Sequence, residues 1–286
     1  MTMKKITLFA AAMLCGALTA AAQNTESGHE YVDLGLPSGL KWATCNVGAS
    51  KPEEYGNYYA WGDTETKDNY AWSTYKWCNG GSDKLVKYNT DSDYGIVDNK
   101  TTLDPEDDAA AVNWGGKWRM PTDDEWTELR ENCTWTWTAD YQGTGIAGHV
   151  VTGPNGNFIF LPAAGYRYDG RLDRAGSYGY YWSSSLYTGG FPYHAWGVYF
   201  CSDNVSGDDN NRHDGQSVRP VCQVTTPTAL AAAEMPAVYA ADGRIVCAQE
   251  FRVFDLLGCD VTRQNGTLSG VYVVKTADAA QKVVVK

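Results

Sequence analysis

Four carboxylates, Asp123, Asp124, Glu125 and Glu128, fall within six residues of the stretch GKWRMPTDDEWTEL, between Trp118 and Leu129. Carboxylates so close together can act as a general acid and base, or cage a hard cation. Either chemistry would need a histidine or a second acidic cluster brought in from elsewhere in the chain. A helix start uses the same residues without outside help. Thr122 followed three residues later by Glu125 forms a capping box, in which the hydroxyl accepts from the Glu125 backbone N–H and the Glu125 carboxylate accepts from the N–H of Thr122. First-turn acids gain roughly 0.3 to 1 kcal/mol each from the helix dipole. Pro121 ends the preceding extended segment, and Trp126 and Leu129, at i and i+3, supply a face to bury. The spacing therefore predicts a capped helix in place of an acidic centre.

Other oxygen-rich runs invite the same test. In Asn89-Thr90-Asp91-Ser92-Asp93-Tyr94-Gly95 an EF-hand would want glycine sixth and glutamate twelfth, but those positions hold Tyr94 and Lys100. A solvated Asx-rich turn is the expectation, with structural calcium in another loop geometry as the one cation reading kept open. No other cofactor and no metal ligand set is expected. Ser202 to Asp214 (SDNVSGDDNNRHD) is the longest polar run, and Asp203, Asn204, Asp208 and Asp209 are its candidate ligand-binding oxygens. It reads as an exposed hairpin tip. Tyr178 to Trp196 holds seven tyrosine and tryptophan residues with Phe191 and three serines. Aromatic faces beside hydroxyls suit sugar stacking, which makes Tyr181, Trp182, Tyr187 and Trp196 candidates, and they equally suit a hydrogen-bonded core. No serine lies in G-x-S-x-G, and neither H-x-x-x-H nor a phosphate-cradling glycine loop occurs, so no catalytic residue is assigned.

The elements that must position these residues follow from composition. With 286 residues, 43% of them hydrophobic, the chain is long enough for one generous core or two modest domains. Eleven tryptophans, 19 tyrosines and 30 glycines with only short apolar runs favour strands and turns over long helices. Two helices are predicted: the Thr122-capped one, and one begun by Asp104-Pro105 and stopped by Gly115. Residues 1–22 read as a signal peptide, with Lys4 and Lys5 before an apolar run and cleavage between Ala22 and Gln23. No later run is long and apolar enough to span a membrane. The formal charge of -11 becomes -13 without Lys4 and Lys5, which repels phosphate backbones and excludes nucleic acid as an expected partner. Seven cysteines follow the signal, none spaced C-x-x-C, and export makes disulfides the default. Texture changes near Gln223: Val224 to Pro236 is linker-like, and Val238 to Lys286 carries short β-type runs broken at Asp242-Gly243, Asn265-Gly266 and Ala277 to Ala280, a small antiparallel sandwich.

Six blocks occur in a recognisable order: YVDLGLPSGLKWATCNVGA from Tyr31, YYAWGDT from Tyr58, GKWRMPTDDEW, FLPAAGYR from Phe160, YYWSSS from Tyr180 and GQSVRPV from Gly215. Together they resemble the Fibrobacter succinogenes major paralogous (FISUMP) domain of exported Bacteroidota proteins, over residues 29–223. The W-R-M-P-T-x-x-E-W block is similar to one in the formylglycine-generating and C-type-lectin-like superfamily, which implies an irregular α+β domain with two short helices. The lectin calcium motifs E-P-N, Q-P-D and W-N-D are absent, as is the close cysteine pair of the oxidases. Residues 224–286, with VFDLLG, NGTLSGVYVVK and a terminal KVVVK, resemble the C-terminal sorting domain of type IX secretion, an immunoglobulin-like β-sandwich whose partner is the secretion machinery. In the fold so implied the first and last strands of the large domain lie side by side, so a Cys45 to Cys222 disulfide is expected, worth about 3 to 5 kcal/mol for a loop of that length. A bridge between Cys247 and Cys259 is expected across neighbouring strands of the tail.

The function these readings imply is a noncatalytic protein, secreted or on the outer cell surface, that recognises a glycan or a protein ligand. A polysaccharide-active enzyme drawing two carboxylates from Asp203, Asp208, Asp209, Asp214 and Glu125 is the alternative from a different class, and a structural component of a surface or fimbrial assembly is the third.

Overall fold

Short β-type runs punctuated by glycine do become strands, and among the described residues they far outnumber two α-helices. The structure is a computed structural model that describes residues 24–224, 238–241, 244–247, 250–276 and 280–285. The expected signal peptide with its cleavage at Ala22 and Gln23, residues 225–236 of the expected linker and the Asp242-Gly243 turn lie outside the described residues. The chain divides into two units, Met1–Val224 and Thr225–Lys286. A mostly β architecture with few helices is compatible with the α+β expectation.

In the large unit, helix α2 (Asp123–Asn132) begins as the sequence predicts. The Thr122 Oγ1 accepts from Glu125 N at 3.2 Å, and Glu125 Oε2 accepts from Thr122 N at 2.8 Å. Trp126 and Leu129 are fully buried. The acids have structural partners: Glu125 takes both arms of the Arg119 guanidinium, and Glu128 accepts from the backbone and hydroxyl of Ser38. The other predicted helix starts later than its proline suggests. Pro105–Asp107 is a 3-10 turn, and α1 (Ala109–Trp114) is capped by Asp108, which accepts from Ala110 N and Ala111 N. Asp104 makes no cap because its carboxylate is committed to Lys87 and Lys100. Gly115 and Gly116, at φ of 67° and 60°, end α1 in the left-handed region.

Three sheets organise this unit. One runs Thr25–Glu26, His29–Asp33, Lys41–Ala43, Val221–Cys222 and Trp118–Arg119 in spatial order. A second runs Val205–Asn211, His194–Phe200, Gly179–Leu186, Gln216–Ser217 and Tyr58–Tyr59. The third is the meander Thr134–Thr138, Gly148–Thr152 and Phe158–Pro162. The largest core cluster brings them together: Trp42, Trp126, Leu161, Tyr181, Phe200 and Val221 are members with little or no exposure. The last strand of the unit pairs with its third, Lys41–Ala43, with Trp42 opposite Val221, and not with its first. That pairing sets Cys222 opposite Lys41, four residues before Cys45. The expected Cys45 to Cys222 disulfide is not formed: both thiols are free, Cys222 packing with Ala43 and Trp118. Register, not strand adjacency, decides whether two cysteines can meet.

The small unit contains the hairpin Tyr239–Ala241 with Arg244–Val246, and the antiparallel sheet Arg252–Phe254, Gly270–Lys275 and Ala280–Val285. Its core is Ile245, Val253, Leu268, Val274, Val283 and Val285. The Asn265 side chain exchanges hydrogen bonds with the backbone of Ile245, so Asn265-Gly266 ends a 3-10 turn instead of closing a two-residue hairpin. Cys247 and Cys259 are also free, which corrects the second expected bridge. The strand preceding Cys247 belongs to the hairpin, whereas Cys259 sits in an exposed turn whose N–H is held by the Asp255 carboxylate.

Candidate ligand-binding site

The second sheet carries all eight sequence-predicted ligand residues on or beside its strands, and its register sorts them. Tyr181 lies opposite Val198 in the middle of the sheet, fully buried, with its hydroxyl donating to the Pro162 carbonyl at 2.8 Å. Burial pushes that phenol up to about 12. Trp182, also fully buried, donates its indole N–H to the Tyr59 carbonyl at 2.8 Å. Both are therefore core residues and not ligand contacts. Successive strand residues face opposite sides, and the Gly179–Leu186 strand is covered on both, so neighbours in sequence are buried alike.

Ser202 to Asp214 is not one exposed tip. Val205–Asn211 is an edge strand paired residue by residue with His194–Phe200, and only Cys201 to Asn204 turns between them. Asp203 and Asn204 occupy that turn, where Asp203 accepts from the Cys201 thiol at 3.0 Å. They lie one strand length, about 20 Å, from His194 and Asn211. Asp208 and Asp209 sit side by side on the edge strand and so project to opposite faces. Asp208 is opposite Gly197 and accepts from the Asn210 amide, while Asp209 is opposite Trp196 and its carboxylate contacts His194 Nδ1 at 2.6 Å. A polar edge is what an antiparallel sheet tolerates, because half of each edge strand meets water.

Three of the eight predicted residues thus converge: Tyr187, Trp196 and Asp209. The Tyr187 and Trp196 rings meet edge to face at 4.9 Å, both half-buried. Beside them the structure places a segment read from sequence as an Asx turn. Asn89 and Asp91 indeed spend their side chains on local backbone, Asn89 on Asp91 and Asp91 on Asp93 N. That turn forms one wall of a cavity of about 330 Å³, lined by Thr90, Asp91, Ser92, Tyr187, Thr188, Gly190 and Pro192. Gly190, at φ 108°, lets the second wall turn back. Phe191 is 46% exposed at its rim and touches Tyr193 and His194 ring to ring. Nothing in residues 89–95 foretells this partnership, which exists only because the two loops are neighbours in space. Among the described residues no group of three or more His, Cys, Asp or Glu could hold a metal ion.

The carboxylates proposed for an acid and base pair are dispersed. Glu125 is held by Arg119 and its own helix cap, Asp208 and Asp209 face apart, and Asp203 is in the far turn. Asp214 is buried beside His213, whose ring packs on Trp72 at 4.5 Å. Burial pushes the Asp214 carboxyl up to about 7 and, with the nearby His194 and Lys67 charges adding to it, brings His213 down to about 4. In the unfolded chain these groups titrate near about 3.9 and 6.5. From about pH 4 to 6.5, unfolding releases a proton from Asp214 and takes one up on His213, so the two contributions to the stability slope oppose each other. Above about 6.5 only the Asp214 linkage remains, and stability falls until its carboxyl ionises. In Asp214→Asn the His213 linkage stands alone, and stability is expected to climb with pH by up to about 1.4 kcal/mol per unit between about pH 4 and 6.5 relative to the parent. Urea unfolding of both proteins across that range measures it; parallel profiles would refute the assignment.

Comparison with known proteins places one match on this region. Residues 151–221, which contain four strands of the second sheet, match the model of a domain of unknown function, DUF8237. No curated protein matches the chain, and no solved structure does.

Proposed function

We propose that this chain is an exported, noncatalytic binding protein of the outer cell surface, and that its ligand is a glycan held in the cleft between residues 90–92 and 187–192. The observation that carries this reading is the convergence at one cavity of Tyr187, packed edge to face on Trp196, and the hydroxyls of Thr90, Ser92 and Thr188, with the exposed Phe191 between the lining residues Gly190 and Pro192. An apolar ring face beside a few fixed polar groups is the general form of a small-ligand site. The resemblance of residues 29–223 to FISUMP domains, and of W-R-M-P-T-x-x-E-W to the C-type-lectin-like superfamily, supports both the irregular α+β fold and the binding role. The signal-like residues 1–22 and the resemblance of residues 224–286 to an immunoglobulin-like sorting domain support export through the periplasm with the type IX machinery as partner. Among the described residues no helix is long and apolar enough to cross a membrane.

A glycan array probed with the folded protein tests the reading. Binding is expected, and Trp196→Ala is expected to weaken it about tenfold or more, each tenfold being about 1.4 kcal/mol. An array blank with protein of native circular dichroism would overturn it in favour of a protein ligand.

A further inference from the structure

The cleft is one end of a longer aromatic path. From Trp196 and Tyr187 the rings continue through His194 to Tyr193 and Phe191, then through Trp72 and His213 to Tyr168. Successive centroids along it are separated by 4.5 to 6.3 Å. The rings come from four separate stretches of chain: the 3-10 turn at Trp72, the strand at Tyr168, the loop and strand from Tyr187 to Trp196, and the turn at His213. Phe191 and Tyr168 are 46% and 42% exposed, Trp72, Tyr187, Tyr193, His194 and Trp196 are half-buried, and His213 is buried beneath the step from Trp72 to Tyr168, so the path is neither pure core nor an isolated surface ring. Large aromatics left partly open on both sides of the buried His213 need an explanation that a single-sugar cleft does not provide.

We infer that the ligand is an extended, neutral polysaccharide chain that runs along this path over several successive sugar rings. The inference rests on the glycan reading above and adds its length and charge. The centroid steps are comparable to the size of one pyranose ring, so consecutive sugars of an extended chain can each find an apolar face. The charge follows from what borders the cleft end of the path, where Asp91 and Asp93 lie in the turn beside the cleft and Asp209 lies opposite Trp196, while Lys67, the cation near His213, is ion-paired with Asp63. The chain as a whole is formally -11. Carboxylates accept hydrogen bonds from sugar hydroxyls without cost to a neutral chain, whereas a uronate polymer would meet like charge along its length.

The test is calorimetric titration of the full chain with disaccharide to hexasaccharide ladders of neutral cello-, xylo- and manno-oligosaccharides, and with oligogalacturonates. For at least one neutral series, affinity is expected to rise about tenfold or more from disaccharide to hexasaccharide, as added rings stack. Tyr168→Ala, at the exposed far end, is expected to reduce hexasaccharide affinity several-fold more than disaccharide affinity, with unchanged thermal unfolding as the control for folding; Phe191→Ala provides a second variant. Equal affinity at every length overturns this inference while leaving the cleft reading standing. Oligogalacturonates binding as tightly as the neutral series overturn the charge argument. Failure of every oligosaccharide, or binding of a proline-rich peptide in their place, removes the glycan reading itself, since aromatic grooves also dock such peptides.

Discussion

Replacing Arg219 with alanine is expected to cost the large unit about 3 to 5 kcal/mol, a large part of the stability of an ordinary domain. The guanidinium is fully buried and donates at 2.9 to 3.1 Å to four acceptors: Asn46 Oδ1 and the carbonyls of Ala43, Thr44 and Phe160. These belong to the end of one strand with the loop that follows it, and to the meander, so with its own position at 219 one side chain fastens three segments far apart in sequence. Asn46 in turn donates to the Tyr55 carbonyl and the Tyr181 hydroxyl, which extends the network into the core. Alanine would strand those acceptors away from water, each orphan costing roughly 1 to 3 kcal/mol before relaxation, and leave a cavity. Lysine keeps the charge but not the planar fork, so Arg219→Lys should recover only part of the loss. Urea unfolding measures both. A loss below about 1 kcal/mol for alanine would show that the network is not a structural centre.

Trp126→Ala is the second large effect, expected at about 3 to 5 kcal/mol, the range for removing a buried tryptophan. The indole is fully buried in the largest cluster, with the Trp42 ring at 4.7 Å and the Tyr181 ring at 6.0 Å, and its N–H donates to the Trp182 carbonyl at 3.2 Å. It thereby joins α2 to both five-stranded sheets. Trp126→Phe keeps most of the apolar volume and orphans one carbonyl, so a clearly smaller loss is expected. Equal losses for the two variants would assign the effect to the hydrogen bond instead of packing. Neither substitution touches the Tyr187 and Trp196 cleft, so ligand affinity of whatever folded fraction remains provides an internal control.

The stretch that looked most like an acidic site shows why some features are legible in a sequence. Thr122 and Glu125 sit three residues apart, and in the first turn of a helix that separation alone brings hydroxyl, carboxylate and backbone N–H together. Trp126 and Leu129 follow the same logic, since i and i+3 share a face on any helix. The strands of the small unit were legible for the related reason that period-two alternation and turn residues are local. At Asp104 the local reasoning slipped: proline allows a helix start but does not require one, and the carboxylate had Lys87 and Lys100 to bind.

By itself, then, the sequence determined the capped α2 helix, the inward face of Trp126 and Leu129, and the β texture on either side of residue 224, because each depends on groups a few bonds apart. Only the tertiary structure decided that Tyr181 and Trp182 are core while Tyr187 and Trp196 remain open, that the acidic run Val205–Asn211 is a strand, that Cys45 and Cys222 stay apart, and that the turn at Thr90 to Ser92 faces the loop at Thr188 to Pro192. Burial of a ring depends on what covers each face of its strand, and pairing of a polar run depends on its neighbour's register. Both are properties of partners distant along the chain, which no window of local residues contains.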